Sequence, residues 1–370
     1  MTEKFQSVSV HRVGCRHPGD LSQVQALVDQ GLLNPLEIVA VMGKTEGNGC
    51  VNDHTRDYAS VMWAQWLANY LDCPVNQVHT RVPLIMSGGT EGVLSPHFTI
   101  FSRKSALRSD KAFERGMVIG IGHTADFRPE EIGRMQQVLA TQAAVLHAMN
   151  DAGIKNPDDV HFVQVKCPLL TAEKIKLARD QGAQAVTTDT YESMSYSRGA
   201  SALGVALALD EILPDQCSDA AILKDMALFS TRASVSAGIE LDNNLVVVMG
   251  MAEHGVSSLS IGHAVMQDAI DAKGVVKLLE DELQSGTSTL INLLAKAEAD
   301  PSGSVRGMRH TMLDDSDINS TRHARAVVGG VLASVSGITA LYVSGGAEHQ
   351  GPPGGGPVAA LFDRRSLLAN

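Results

Sequence analysis

The chain has 370 residues, 44 % hydrophobic and 19 % charged, the balance of a folded globular protein and not of a disordered one. Lys plus Arg number 30 against 41 Asp plus Glu, a formal charge of -11, so the chain lacks the basic face that nucleic acids and anionic membranes require. This length predicts two or three folding units.

The N-terminal MTEKFQSVSVHR has no apolar core of a secretory signal, and SVSVHRV reads as a first strand. Next come IVAVMGK, an apolar strand ending at Lys44, then Thr55-Arg56 before the helical pattern DYASVMWAQWLANYL, then VPLIMSGGTEG around Ser87. The same order returns with MVIGIG, the helical EEIGRMQQVLATQAAVLHAMNDAG, HFVQVK ending at Lys166, Ser197-Arg198 before GASALGVALALDEI, and TRASVSAGIEL around Ser236. It returns again with LSIGHAV, the helical QDAIDAKGVVKLLEDEL, LINLLAK ending at Lys296, Thr321-Arg322 before HARAVVGGVLASV, and ALYVSGGAEHQ around Ser344. GPPGGGP, residues 351–357, follows directly and reads as a structured loop. The hydroxyl residue of each Ser/Thr-Arg pair is expected to cap its helix.

The recurring pentapeptide is S-[GA]-G-x-E, at Ser87–Glu91, Ser236–Glu240 and Ser344–Glu348, spaced 149 and 108 residues apart. These repeats predict an α/β fold of three similar units, 1–105, 110–250 and 255–370, in a pseudo-threefold arrangement. Equivalent Lys, Arg and Ser residues would then surround one electropositive cavity. A small flat ligand with repeating carbonyls fits such a cavity, accepting hydrogen bonds from Arg forks and from backbone amides beside the small residues. Ser with Lys is also a nucleophile–base pair for acyl transfer, with neighbouring amides as an oxyanion hole. Glu46 and Glu298 each stand two residues beyond a lysine and so on its side of an extended segment, whereas Lys166 is followed by Cys167 and Pro168. This predicts that Lys166 is the lysine most easily held neutral, while Lys44 and Lys296 stay cationic.

Other motifs carry less. Gly43-Lys44-Thr45 is not a phosphate loop, because position 38 is Ile and not Gly. The five cysteines are odd in number and without CxxC, which disfavours a disulfide framework and makes a reducing cytoplasm the expected location. Cys167 has no counterpart in the other repeats and is expected to be buried filler. His54, His97, His310 and His323 form no HxH or HExxH pair for zinc, and Asp314, Asp315 and Asp317 read as helix-entry residues. The nearly apolar run Ala200 to Leu209 is about half the length of a membrane span.

The blocks VMGKTEGNGCVNDHTRDYAS, MSGGTEGVLSPH, VHFVQVKCPLLTAEK, DTYESMSYSRGASALG, SAGIELDNN, RHTMLDDSDINSTRHARAVV and VSGGAEHQGPPGGGPVA resemble the cyanuric acid hydrolase and barbiturase family of ring-opening amidohydrolases, over essentially the whole chain. The likeness is greater to the cyanuric acid hydrolases. The resemblance implies a central β-barrel-like core with helices outside, a cytoplasmic homotetramer, and hydrolytic opening of cyanuric acid to carboxybiuret, which decarboxylates to biuret. It places nucleophile and base on Ser236 and Lys166. Substrate binding falls on Arg56, Arg198, Arg322, Ser87-Gly88, Ala237, Ser344-Gly345, Lys44 and Lys296. It also implies no organic cofactor but a structural divalent cation, magnesium by family habit, on Glu298, Ala347, Gln350, Gly351, Pro352 and Gly355; an oxygen-only cage of this kind suits a hard cation. Alternatives are a barbiturase yielding ureidomalonate and a non-catalytic protein that captures a small ligand.

Overall fold

The computed structural model describes residues 5–107, 113–283 and 288–365. The elements fall into three successive series, of which the first runs β1 (Phe5–Gly14), α1 (Ser22–Asp29), β2 (Ile38–Thr45), α2 (His54–Leu71), β3 (Leu84–Gly88) and β4 (His97–Ala106). The second runs β5 (Gly116–His123), α3 (Met135–Ala152), β6 (Val160–Pro168), α4 (Ala172–Asp180), α5 (Thr190–Ala208), β7 (Ala233–Gly238) and β8 (Leu245–Ala252). The third runs β9 (Leu259–Met266), α6 (Ala272–Leu283), β10 (Thr289–Ala297), the short β11 (Ser304–Val305) and β12 (Met308–Arg309), α7 (Ser320–Ser336), β13 (Tyr342–Gly345) and β14 (Gly356–Asp363).

Each series builds one four-stranded sheet, and the three sheets share one strand order: β1-β4-β2-β3, β5-β8-β6-β7 and β9-β14-β10-β13. In each, the second and third strands pair in parallel, bridged by the helical crossover such a pair requires, and the remaining pairings are antiparallel. Among the described residues these sheets do not close into one hydrogen-bonded barrel, contrary to the expectation from resemblance. An isolated bridge, Gln6 to Gly255, joins β1 to the turn before β9.

What the sheets share is a hydrophobic interior. Ala40, Met42 and Ile85 of the first sheet, Phe162 and Val247 of the second, and Leu294 and Tyr342 of the third pack into a single cluster. The opposite face of each sheet packs on its own helices: Val41 and Met86 against Trp63 of α2, Val163 and Val165 against Val205 of α5, Leu293 and Val343 against Val328 of α7. Burial on both faces explains why the strands read as nearly continuous apolar runs.

The Ser or Thr beside each repeated Arg does not cap its helix. Asp53, Asp189 and Asn319 do so instead, accepting from the backbone amides of Thr55, Glu192 and Thr321. Ser197 lies in the interior of α5, fully buried. The helical pattern predicted from residue 130 begins at Met135, and that predicted from residue 267 begins at Ala272. Asp315 accepts from the amides of Asp317 and Ile318 on the approach to α7, while Asp314 pairs with Arg309. All five cysteines are free, and among the described residues no helix is long and apolar enough to cross a membrane.

Candidate active site

Strand alternation positions the lysines and serines. Residues two apart on a strand share a face. Lys44 therefore follows Ala40 and Met42, Lys166 follows Phe162, and Lys296 follows Leu294, all onto the face of the shared interior. Ser87 follows Ile85 and Ser344 follows Tyr342 in the same way. Parallel pairing then sets Lys44 opposite Ser87, Lys166 opposite Ser236 and Lys296 opposite Ser344. All six are buried.

The three pairs are alike in register and unlike in hydrogen bonding. Lys44 Nζ donates to Ser87 Oγ and to the Gly88 carbonyl, both at 3.2 Å. Lys296 Nζ donates to Ser344 Oγ at 3.2 Å, to the Gly345 carbonyl at 3.1 Å, and across sheets to the Val235 carbonyl at 2.7 Å. Lys166 Nζ reaches across sheets to the Met86 carbonyl at 2.7 Å, but its remaining contact is Glu240, 3.0 Å from Oε1. Ser236 Oγ is buried, is not held by its lysine, and has the buried Tyr342 hydroxyl beside it. The Ala237 carbonyl, counterpart of those of Gly88 and Gly345, accepts from Arg56 Nη1 at 2.9 Å.

These contacts reverse the expected order of the lysines. Lys166 has a carboxylate neighbour, supplied by Glu240 from another strand end. Burial lowers its pKa and Glu240 acts to raise it again. Burial, reinforced by Arg325, takes Lys44 well below its ordinary value, and burial with Arg198 does the same to Lys296. Glu46 is not among the groups acting on Lys44.

One narrow cavity collects the set. It is lined by Arg56, Arg198 and Arg325, by Ser87, Ser236 and Ser344, and by Gly88, Ala237 and Gly345. The third arginine is Arg325, not Arg322. Arg325 comes one helical turn later and is 3 % exposed, whereas the Arg322 side chain is 37 % exposed at the rim. Both hold Glu91, at 2.6 Å from Arg325 Nη2 and 3.1 Å from Arg322 Nε. The glutamates of the repeated pentapeptide link the sheets: Glu91 of the first binds Arg325 of the third, and Glu348 of the third binds Arg198 of the second at 2.6 Å. Such pairing is what allows these arginines to be buried. Glu240 breaks the series by turning to Lys166. Its role and that of Arg325 are legible in the sequence only as recurring letters, a fifth pentapeptide position and an Arg on each crossover helix.

Small residues make room for the backbone. A Cβ on Gly88 would lie 1.7 Å from Asp53 Oδ2, and one on Gly345 would lie 2.6 Å from Arg325 Nη1. Cys167, next to Lys166, faces away into the helix-side core, where burial raises its thiol pKa; it is not poised as a nucleophile.

The residues considered for a cation gather on the loop between β13 and β14, beside the end of β10. Glu298 Oε2 accepts from the Gly354 amide at 3.3 Å. The Ala347 carbonyl accepts from the Gln350 amide and that of Pro352 from the Gly355 amide, while Gly351 adopts φ 97°. Gln350 spends its side chain internally, Oε1 accepting from the Val235 amide and Nε2 donating to the Gly346 and Glu348 carbonyls. Burial, with Glu348 nearby, pushes the Glu298 carboxyl up to about 7. Among the described residues no three His, Cys, Asp or Glu side chains gather to hold a metal, so a cation here would rest on this one buried carboxylate and backbone oxygens, a donor set suited to a hard divalent ion.

Residues 9–363 match the family of amidohydrolase ring-opening proteins. The cyanuric acid amidohydrolase of Pseudomonas sp. (strain ADP) is 55 % identical over 357 residues, 96 % of this chain and 98 % of that protein. That of Bradyrhizobium diazoefficiens is 52 % identical over 363 residues, again 96 % and 98 %. A solved cyanuric acid hydrolase is similar with a TM-score of 0.94 at 54 % identity, covering 97 % of this chain and 100 % of that one. On sequence, fold and cavity together, this chain belongs to the ring-opening amidohydrolase family.

Proposed function

We propose that the protein opens the ring of cyanuric acid by hydrolysis, giving carboxybiuret, which loses carbon dioxide to leave biuret. The observation that carries this reading is the convergence of three Lys–Ser register pairs and three buried arginines on one cavity. A ring with three equivalent carbonyls matches three equivalent sets of donors, and we read the stretches 1–105, 110–250 and 255–370 as repeat units in pseudo-threefold arrangement about that cavity. Arg56, Arg198 and Arg325 bind the ring carbonyls as cationic forks.

Ser236 is the nucleophile in this reading. Lysines hold the hydroxyls of Ser87 and Ser344, whereas no lysine holds that of Ser236, which has only the Tyr342 hydroxyl beside it and can turn to a carbonyl carbon. Lys166, opposite Ser236, takes its proton and returns it to the departing ring nitrogen, and water then releases the acyl group. Glu298 and the loop residues Ala347, Gln350, Gly351, Pro352 and Gly355 would hold a divalent cation, which would supply positive charge to the loop leading from Ser344.

Incubation of the purified protein with cyanuric acid tests this: stoichiometric biuret is expected. Ser236→Ala should lower kcat by at least about a thousandfold while binding persists on the other groups. Ureidomalonate from barbituric acid in place of biuret, or wild-type rates in Ser236→Ala, would overturn it.

A further inference from the structure

Outside the central cavity, the cavity walls, the ionisable clusters and the charged surfaces single out Glu240. It ends the second S-[GA]-G-x-E pentapeptide. Its two counterparts neutralise arginines of a neighbouring sheet, and it alone of the three sits against a lysine, with Oε1 3.0 Å from Lys166 Nζ. Its side chain is 9 % exposed, and neither carboxylate oxygen is engaged in a hydrogen bond of good geometry.

Glu240 also borders space outside the central cavity, although both of its carboxylate oxygens are shut off from solvent. It lines two cavities distinct from the central one: a cavity of about 690 Å³ with Asp126, Lys174 and Asp242, and another of about 280 Å³ with His79 and His123. Ser87, Ser236 and Ser344 open into neither. The Glu240 side chain thus lies between the lysine opposite Ser236 and these outer cavities, its two oxygens sealed by a thin wall from the space beyond.

The chemistry asks for a group so placed. Lys166, as an ammonium held by Glu240 and by the Met86 carbonyl, cannot take a proton from Ser236. At neutral pH, water opening the ring yields a carbamate and one proton, and that proton must leave a site closed by three arginines.

We propose that Glu240 is the proton-relay and positioning residue of the Lys166–Ser236 pair, passing protons between Lys166 and the outer cavities. The Lys166 ammonium gives a proton to Glu240 Oε1, leaving a neutral amine and a carboxylic acid. The amine takes the Ser236 Oγ proton as Oγ bonds to the ring carbonyl carbon and the C=O pair moves onto oxygen. When that oxyanion collapses, the ring C–N bond breaks and the nitrogen takes the proton back from Lys166. Water then attacks the acyl carbon, Lys166 accepting its proton, and Ser236 leaves with one. The proton released by the ionising carbamate exits from Glu240 to the outer cavity, restoring the ion pair. Arg56 acts on the pair from α2 and Cys167 from β6, while His79, His123, Asp126, Glu173, Lys174 and Asp242 are the ionisable groups around the outer openings.

The relay rests on the assignment of Ser236 and Lys166 above, and the two fail separately. If Ser236→Ala keeps turning over cyanuric acid, the assignment is wrong. If Ser236→Ala is inactive and Glu240→Gln keeps wild-type kcat from pH 6 to 9, the relay alone is wrong. The expected result for Glu240→Gln is a fall in kcat of about a hundredfold with KM changed less than about threefold. A merely electrostatic carboxylate predicts a different outcome, because its loss favours neutral Lys166 and moves the acid limb of kcat to lower pH with little loss at the plateau. In Glu240→Ala, added formate entering from the outer cavity is expected to restore kcat at least about fivefold, whereas chloride at equal ionic strength does not; absence of rescue in a folded variant counts against the relay. Should Glu240→Gln fail to fold, Glu240→Asp, which retains the acid farther from Lys166, is expected to lose kcat about tenfold, and unchanged kcat there overturns the proposal.

Discussion

Lys166 and Ser236 face each other across a parallel strand pair, yet the lysine is bound to Glu240 and the serine hydroxyl lies beside Tyr342, not on the lysine. In the same register, Lys44 and Lys296 each hold their serine at 3.2 Å. Three near-copies thus differ at one position in a way that separates a poised hydroxyl from two anchored ones, and the consequences are open to measurement.

Arg322 and Arg325 should separate sharply. Arg325→Ala leaves Glu91 buried with its shorter partner gone, and about 3 kcal/mol of stability is expected to be lost along with cyanuric acid affinity. Arg322→Ala removes a partly exposed partner and is expected to cost less than about 1 kcal/mol. Urea unfolding together with KM for both variants checks this; equal effects would count against Arg325 as the cavity arginine.

Gly88→Ala should be disruptive although the second repeat has Ala237 at that position. The added carbon meets the Asp53 carboxylate that accepts from the Thr55 amide at the start of α2 and from the Gly49 amide. A loss of roughly 1–3 kcal/mol is expected, with α2 and Arg56 displaced. Melting temperature and kcat/KM of the alanine variant read both effects.

Acid should destabilise the protein through two histidines. His161 and His263 meet Nδ1 to Nδ1 at 2.9 Å, and burial holds each at a pKa of about 4 against an ordinary 6.5. Their stabilising contribution is full above about pH 6.5 and is lost as pH falls toward 4, because unfolding takes up the protons that the folded state refuses. Replacing His263 by Gln should make the change in unfolding free energy between pH 7 and pH 5 smaller by about 2 kcal/mol. Parallel pH profiles of the two proteins would refute this.

The cation proposed beside Glu298 predicts that magnesium raises the melting temperature of chelator-treated protein and that Glu298→Gln abolishes the increment. Binding only the folded state stabilises it in proportion to the logarithm of the cation concentration. A magnesium increment that persists in Glu298→Gln would place the cation elsewhere.

Local order made much of this site legible in the letters. A lysine at the end of an apolar strand faces the sheet interior, as do Ser87 and Ser344 two residues after Ile85 and Tyr342, because alternation depends on chain geometry alone, whereas Ser236 follows the polar Ser234 and is legible only through its repeat. The recurrence of Lys, Arg and Ser thus determined which six strand residues meet. Tertiary structure alone decided the rest. Arg322 and Arg325 share one side of a helix, and only its docking shows which is buried. The lysine chosen by Glu240 follows from packing between strands more than seventy residues apart, as does the failure of the sheets to close into a barrel. No spacing along the chain encodes those contacts, since they depend on how the three sheets pack about a shared interior and on the turn that follows β7 within one of them.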